Sequence, residues 1–271
     1  MWICPVKDAF GRVINYLRVS VTDRCNLHCV YCRPPGGVPL FAHERILSYE
    51  EIVEFVRVAV GYGIDKVRIT GGEPLVRRNI VSLVERLAQV PGIADLCMTT
   101  NGTVLEQFAI PLAAAGLGRV NVSLDAVASE RYAAITRGGD VTLVLAGIDA
   151  ALEAGLKPVK LNCVVERSLD EPDAREVAAY GAGRGLEVRY IRRMNLSEGT
   201  FWVVHGGSGG NCAMCNRLRL TSDGRLRPCL FHDVEFNVRE LGYEKALEAA
   251  VAAKPKCGSS SPENLMYQIG G

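Results

Sequence analysis

Between residues 17 and 191, short β-prone runs alternate with helix-patterned runs through six rounds. No other feature constrains the fold of this chain as strongly. The strand candidates are 17–21, 66–70, 95–99, 120–124, 159–165 and 186–191. Helical candidates cover 52–60, 79–89, 108–115, 142–154 and 171–183. Ser48 and Glu51 form a capping-box pair ahead of the first helix, and Gly155 suits the C-cap of the fourth. Strands separated by helices pair in parallel, because each crossover returns the chain to the same end of the sheet. The expected class is therefore α/β, a partial (β/α)6 barrel over residues 1–195 with function at the carboxyl ends of its strands.

After residue 195 the texture changes. Residues 205–210 (His205 to Gly210) read as a flexible, Gly-rich link, followed by three cysteines and one helix near 243–253. Residues 196–271 are expected to form a small C-terminal module without a core of its own. The apolar fraction of 48% and charged fraction of 23% are those of a globular protein. A net charge of +1 offers nothing to nucleic acid as a whole-surface effect. No apolar run is long enough to span a bilayer, and residues 1–8 lack a secretory pattern. The ten cysteines group in ligand-like spacings, which favours a reducing cytoplasm over a disulfide scaffold.

Cys25, Cys29 and Cys32 form C-x3-C-x2-C just after the first strand candidate. Three thiolates are one fewer than a closed site needs. A [4Fe–4S] cluster held this way keeps one iron open for another ligand. The plainer reading is a zinc loop or three unrelated core cysteines. Cys212, Cys215 and Cys229, spaced C-x2-C-x13-C, repeat the pattern. They read either as a zinc knuckle completed by His205, His232 or Cys257, or as a second open cluster. Arg217 and Arg219 alternate, so on a strand both would face a polyphosphate or carboxylate. The turn Gly71-Gly72-Glu73-Pro74 combines free backbone with a carboxylate able to meet an ammonium group. Thr99 to Gly102 and Ser123 to Asp125 follow the third and fourth strand candidates.

In order, these motifs resemble one family. The first cysteine loop is similar to that of radical-SAM enzymes. Together with 17–24, 68–75, 99–102, 121–125, 212–220 and the terminal Gly270-Gly271, it resembles the GTP 3′,8-cyclases of molybdenum-cofactor biosynthesis. The resemblance implies a radical-SAM lyase with two [4Fe–4S] clusters and S-adenosylmethionine (SAM), forming 3′,8-cyclo-7,8-dihydro-GTP. Cys25, Cys29 and Cys32 would hold the SAM cluster, and Cys212, Cys215 and Cys229 the second, across the same barrel mouth. Tyr31, Gly72, Glu73, Thr99, Ser123 and Met194 would contact SAM. Arg18, Lys66, Arg68, Lys160, Arg189, Arg217 and Arg219 would line the GTP site. Arg18 and the tail glycines Gly270 and Gly271 would act in catalysis. The implied partners are GTP and an external electron donor, with no nucleic acid and no membrane; a homodimer is admitted.

Two departures accompany the resemblance. Only residues 195–211 separate the sixth strand from the second cysteine group, where the family has several dozen more. Arg192 stands where the family carries an acidic residue. Other readings stay open: a related radical-SAM enzyme acting on another nucleotide or on a peptide, and a non-catalytic metal-binding regulator. Cys97 and Cys163 fall on strand candidates and are expected in the core; Cys4 and Cys257 have no assigned role.

Overall fold

Six parallel strands run in chain order across one sheet: β1 (Tyr16–Ser20), β2 (Lys66–Thr70), β3 (Asp95–Thr100), β4 (Arg119–Ser123), β5 (Lys160–Val165) and β6 (Glu187–Arg192). The structure is a computed structural model and describes residues 6–261. Helices α1 (Tyr49–Gly61), α2 (Ile80–Ala88), α3 (Leu105–Ala114), α4 (Ser129–Thr136), α5 (Val141–Glu153) and α6 (Pro172–Gly183) connect them. Because strand order follows chain order, right-handed crossovers put these helices on one face. Leu17, Val19, Val67, Ile69, Val120 and Val122 are buried in the main core. The alternate residues of the same strands are left for the opposite, inner face.

The ends of the elements follow local chemistry. The Ser48 Oγ accepts from the Glu51 N–H at 3.1 Å, and Glu51 Oε2 accepts from the Ser48 N–H at 2.7 Å, completing the capping box. Gly155 takes φ +79° just past the end of α5, as a C-terminal glycine should. α4 went unread because its apolar pattern is thin: only Tyr132 and Thr136 are buried.

The sheet is open. Its order is β6-β5-β4-β3-β2-β1-β7-β8-β9, with β7 (Arg217–Leu220), β8 (Arg225–Arg227) and β9 (Phe236–Asn237) continuing beyond β1. The six strands thus form a partial barrel whose β1 edge pairs with β7 in parallel and does not close on β6. Among the described residues, α7 (Val238–Leu241) and α8 (Tyr243–Ala252) complete the chain's helices. Leu218, Leu220, Leu226, Leu247 and Val251 join the same core as the helices of the barrel. Phe55 of α1 meets Tyr243 edge-on, ring centroids 5.6 Å apart. A few strands and two short helices bury too little apolar area alone, so this region draws on the core already built around β1.

The Gly-rich stretch corrects the expectation of a flexible link. His205 exchanges two backbone hydrogen bonds with Tyr190 of β6, each 3.1 Å, and the Val204 N–H donates to the Gly209 carbonyl at 2.8 Å. Gly210 has φ +74°, and a Cβ there would lie 1.9 Å from the Trp202 carbonyl oxygen. The glycines permit a tight turn folded back on residues 202–204. No helix among the described residues is long and apolar enough to cross a membrane.

Candidate active site

Sheet register builds the centre of the site. Arg68, Arg18 and Arg219 lie side by side on β2, β1 and β7, and Lys66, Tyr16 and Arg217 form the next row. All six face inward because each set shares one strand parity. Arg68 Nε donates to the Tyr16 hydroxyl at 2.5 Å. Lys66 Nζ and Arg217 Cζ lie 5.0 and 5.6 Å from the Tyr16 ring centroid. Burial pushes the Arg18 guanidinium down to about 9; Tyr16 opposes this, while Arg219, Arg68 and Arg217 add to it. Burial and then Arg217 likewise lower Arg219. Cations crowded and desolvated in this way favour a polyanionic ligand.

The remaining basic candidates line the same cavity of about 690 Å³ but carry counterions. Lys66 and Arg119 both pair with Asp95 at 2.7 Å. Lys160 and Arg189 both pair with Glu187, the latter at 2.7 Å. The Asp95 carboxyl is drawn down to about 2: burial opposes ionisation, and Arg119 and Lys66 overcome it. These carboxylates were missed from the sequence. The signal was present in pairing, since Asp95 sits opposite Lys66 and Glu187 opposite Lys160 in the register.

At the carboxyl end of β1, Cys25, Cys29 and Cys32 all face the cavity. The Cys32 and Arg33 N–H groups both donate to the Cys29 carbonyl at 3.0 Å, which curls the loop. The Leu27 N–H and Asn101 Nδ2 point at Cys25 Sγ, 3.4 and 3.7 Å away. Burial, then neighbouring charge from Asp125 and the other thiols, pushes Cys29 up to about 12. Burial and Cys25 push Cys32 up to about 11. Three crowded thiols with sulfur-directed donors suit a cationic iron cluster, which neutralises the charge their ionisation creates.

The neighbouring turn is locked to this loop. The Gly72 N–H donates to the Thr22 carbonyl at 2.7 Å, and the Glu73 N–H to the Arg24 carbonyl at 2.8 Å. A Cβ on Gly72 would come within 2.3 Å of the Arg24 carbonyl oxygen. The Glu73 side chain is fully buried and accepts from the Thr100 hydroxyl at 2.7 Å, the Asn101 N–H at 2.6 Å and the Leu75 N–H at 3.0 Å. Burial lifts its carboxyl to about 7 against those three donors. Tyr31 donates its hydroxyl to Asp125 Oδ2 at 2.6 Å, and the Val164 N–H donates to Oδ1 at 2.8 Å. Gly72, Tyr31, Thr99, Ser123 and Met194 line the cavity; Glu73 lies behind it.

The second triad corrects the expected geometry. Cys212 and Cys215 precede β7, which runs parallel to β1, and Cys229 follows the antiparallel β8. All three therefore gather at the amino ends of the parallel strands, opposite Cys25, Cys29 and Cys32. A five-residue strand separates the two ends by about 16 Å at the usual rise. The triads line opposite ends of one cavity rather than one mouth, and the two basic rows lie between them along the inner face.

Lys254, not singled out from the sequence, organises this second end. It is buried, and its Nζ donates to the Arg217 and Pro228 carbonyls at 2.6 Å each. A third contact is to the Cys215 thiol. Burial lowers the Lys254 ammonium, while Cys215 and Cys229 support its charge. Burial opposes ionisation of Cys215, but Lys254 and the Arg217 N–H hold its thiol below the ordinary value. A desolvated cation aimed at two cysteines fits a thiolate-bound group. A lysine ending a helix ordinarily reads as a favourable dipole contact, so the sequence carried no sign of this role. Among the described residues, no three His, Cys, Asp or Glu groups converge on one metal ion. Of the three extra ligands considered for a zinc knuckle, Cys257 touches a cysteine of the triad, Cys212.

Elsewhere, Cys97 and Cys163 are fully buried, as expected. The Arg192 guanidinium lies 3.8 Å from the Trp202 ring centroid. Gly270, Gly271 and Cys4 lie outside the described residues.

Comparison with known proteins accords with this arrangement. The Radical SAM superfamily model matches residues 19–180, and the Molybdenum Cofactor Synthesis C model matches residues 175–256. The GTP 3′,8-cyclase of Petrotoga mobilis is 40% identical, the match covering 97% of this chain and 99% of the relative. That of Moorella thermoacetica is 43% identical over 86% of each. The Petrotoga alignment spans 321 residues against 271 in this chain, so at least 50 of its positions have no counterpart here. Among solved structures, Streptococcus suis SuiB bound to precursor peptide SuiA superposes with a TM-score of 0.70 at 13% identity, covering 91% of this chain and 67% of that one. An anSMEcpe structure with bound AdoMet and a peptide gives 0.59 at 15%, covering 89% and 81%. The structural likeness carries the radical-SAM fold, and the sequence relatives carry the finer assignment: the chain belongs to the GTP 3′,8-cyclase family.

Proposed function

We propose that this chain cyclises GTP to 3′,8-cyclo-7,8-dihydro-GTP, the first step of molybdenum-cofactor biosynthesis. The observation that carries the reading is the double row of cations on β2, β1 and β7, lying between two sets of three cysteines. Cys25, Cys29 and Cys32 would hold one [4Fe–4S] cluster, and Cys212, Cys215 and Cys229 a second. With SAM bound, the first cluster supplies reductive SAM cleavage and a 5′-deoxyadenosyl radical.

The chain's own residues do the rest. Gly72 borders the space for the amino group of SAM, and the buried Glu73 lends its carboxylate charge from behind the cavity wall. Thr99, Ser123, Tyr31 and Met194 shape the space for its polar and adenine portions. Arg18, Arg68, Arg217 and Arg219 neutralise the triphosphate; Lys66, Lys160 and Arg189 lend positive charge already balanced by Asp95 and Glu187. With the triphosphate held on the inner face, ribose is directed to the first triad and guanine to the second. The walls formed by Phe201, Trp202 and Leu230 keep water from the reacting carbons.

Residues 196–271 are read as the region devoted to the second cluster, with Gly270 and Gly271 kept as catalytic candidates. An external one-electron donor is required, and a homodimer is compatible with the open site. The test is anaerobic reconstitution, then turnover with GTP and SAM. Roughly eight irons per chain are expected from two clusters, with the cyclic nucleotide detected by mass spectrometry. SAM cleavage without a GTP product would overturn the substrate; about four irons would overturn the second cluster.

A further inference from the structure

Cys257 has no part in the reaction above, yet its Sγ lies 3.3 Å from the Sγ of Cys212. The approach is built into the fold. Arg12 Nη1 donates to the Cys212 carbonyl at 2.6 Å and to the Lys256 carbonyl at 3.1 Å, while Nη2 donates to the Pro255 carbonyl at 2.7 Å. Buried Asp8 holds the same guanidinium through Nε at 2.5 Å. Arg12 thus fastens the segment carrying Cys257 onto the turn carrying Cys212. The Gly258 N–H donates to the Cys212 thiol. A Cβ at Gly258 would lie 2.7 Å from the Phe231 Cβ and 3.5 Å from the Cys229 Sγ, so a glycine lets this segment pass Phe231 closely while in contact with the second triad. Cys257 is exposed, whereas Cys215 is engaged by Lys254.

We propose that Cys212 and Cys257 form a thiol-oxidation site, closing to a disulfide when the second triad holds no cluster. Closure withdraws Cys212 from the triad and leaves Cys215 and Cys229, too few to anchor a cluster. The oxidant is hydrogen peroxide. The Cys257 thiolate attacks one peroxide oxygen, the O–O bond breaks, and Cys257 becomes a sulfenic acid as the first water leaves. The Cys212 sulfur then attacks the Cys257 sulfur; the S–S bond forms, the S–O bond breaks, and a second water leaves. Two thiols have lost two protons and two electrons, and the peroxide has become two waters. A dithiol reductant reverses the change by exchange. The disulfide stands on the contact geometry; its effect on cluster loading rests on the two-cluster reading.

The test uses the whole chain, stripped of clusters, reduced, and treated anaerobically with stoichiometric hydrogen peroxide. Non-reducing peptide mapping should recover a Cys212–Cys257 cross-link, absent in Cys257→Ser and reversed by dithiothreitol. Clusters are then transferred from a preloaded scaffold protein without added thiol. Reduced chain should take roughly eight irons and oxidised chain roughly four, while peroxide-treated Cys257→Ser keeps roughly eight. A Cys212–Cys215 cross-link, or none, would overturn the proposal. Loss of the second cluster from fully reduced Cys257→Ser would also overturn it, making Cys257 a ligand. If reduced wild-type chain takes only about four irons, the two-cluster reading fails, and the mapped cross-link alone decides the oxidation site.

Discussion

The Lys254 ammonium donates to the carbonyl of Pro228, the residue before Cys229, at 2.6 Å. Through Arg217 it also reaches the segment after Cys215. One buried cation therefore spans both chain segments that bring cysteines to the second triad. Lys254→Met removes both donors and the positive charge beside Cys215. The expected result is loss of the second cluster, with iron falling from roughly eight to roughly four per chain and SAM cleavage retained. Each buried carbonyl left without a donor costs about 1–3 kcal/mol. Lys254→Arg should restore part of the iron, since it keeps the charge; equal loss in both variants would reduce Lys254 to a packing role.

Glu73 sets a pH dependence. Its carboxyl sits at about 7 in the fold, above the ordinary 4.5. The native state keeps a proton that the unfolded chain has released, so this contribution is complete below about 4.5 and is lost as pH rises through about 7. The thermal midpoint of the ligand-free chain should fall across that window, by an amount on the order of 3 kcal/mol in stability. Glu73→Gln should flatten this component of the slope. SAM affinity should run the other way, rising with pH as the carboxylate forms to meet the ammonium. Thermal scans and SAM titrations from pH 5 to 8 check both; an unchanged slope in Glu73→Gln would refute the assignment.

Arg18 pits stability against binding. Burial and three neighbouring arginines hold its guanidinium down to about 9. Arg18→Met should therefore stabilise the nucleotide-free chain, each kcal/mol recovered raising the midpoint by about 2–4 °C. The same variant should lose most of the stabilisation that GTP gives the wild-type chain. Differential scanning with and without GTP measures the two effects together. A variant that is less stable when free and still stabilised by GTP would separate Arg18 from the triphosphate.

Gly72 is constrained from one side by the Arg24 carbonyl, 2.3 Å from where a Cβ would sit. That neighbour is backbone and cannot rotate away. Gly72→Ala should displace the loop between Thr22 and Cys25, lowering first-cluster occupancy and SAM cleavage at least tenfold. The second cluster should remain, leaving roughly four irons per chain. Gly36→Ala, with nothing within 4 Å of its Cβ, is the matched control.

Much of the fold was legible because its signals are local. The capping pair Ser48 and Glu51, the αL glycine Gly155 and the apolar parity of β1 and β2 are written in adjacent residues. The short α4 was not legible, because two buried side chains make no clear period. Nor was the compact turn at 205–210, since glycines permit a tight return and a loose link equally well. The six cavity-facing cysteines and seven basic residues were identified by spacing and resemblance. Their counterions Asp95 and Glu187 needed the order in which strands pair.

By itself the sequence determined the chemistry on offer: two sets of three thiols, alternating arginines, a glycine turn beside a carboxylate, and strand–helix rounds that compel a parallel sheet. Only the tertiary structure decided where these stand. Parallel pairing of β7 with β1 aligned Arg219 with Arg18 and Arg68, and it sent Cys212 and Cys215 to the opposite end from Cys25. Direction and register depend on contacts between residues some two hundred positions apart, and the burial of Lys254 depends on carbonyls 37 and 26 positions before it. Spacing along a chain specifies which groups share a face; it cannot specify which distant strand comes to lie beside it.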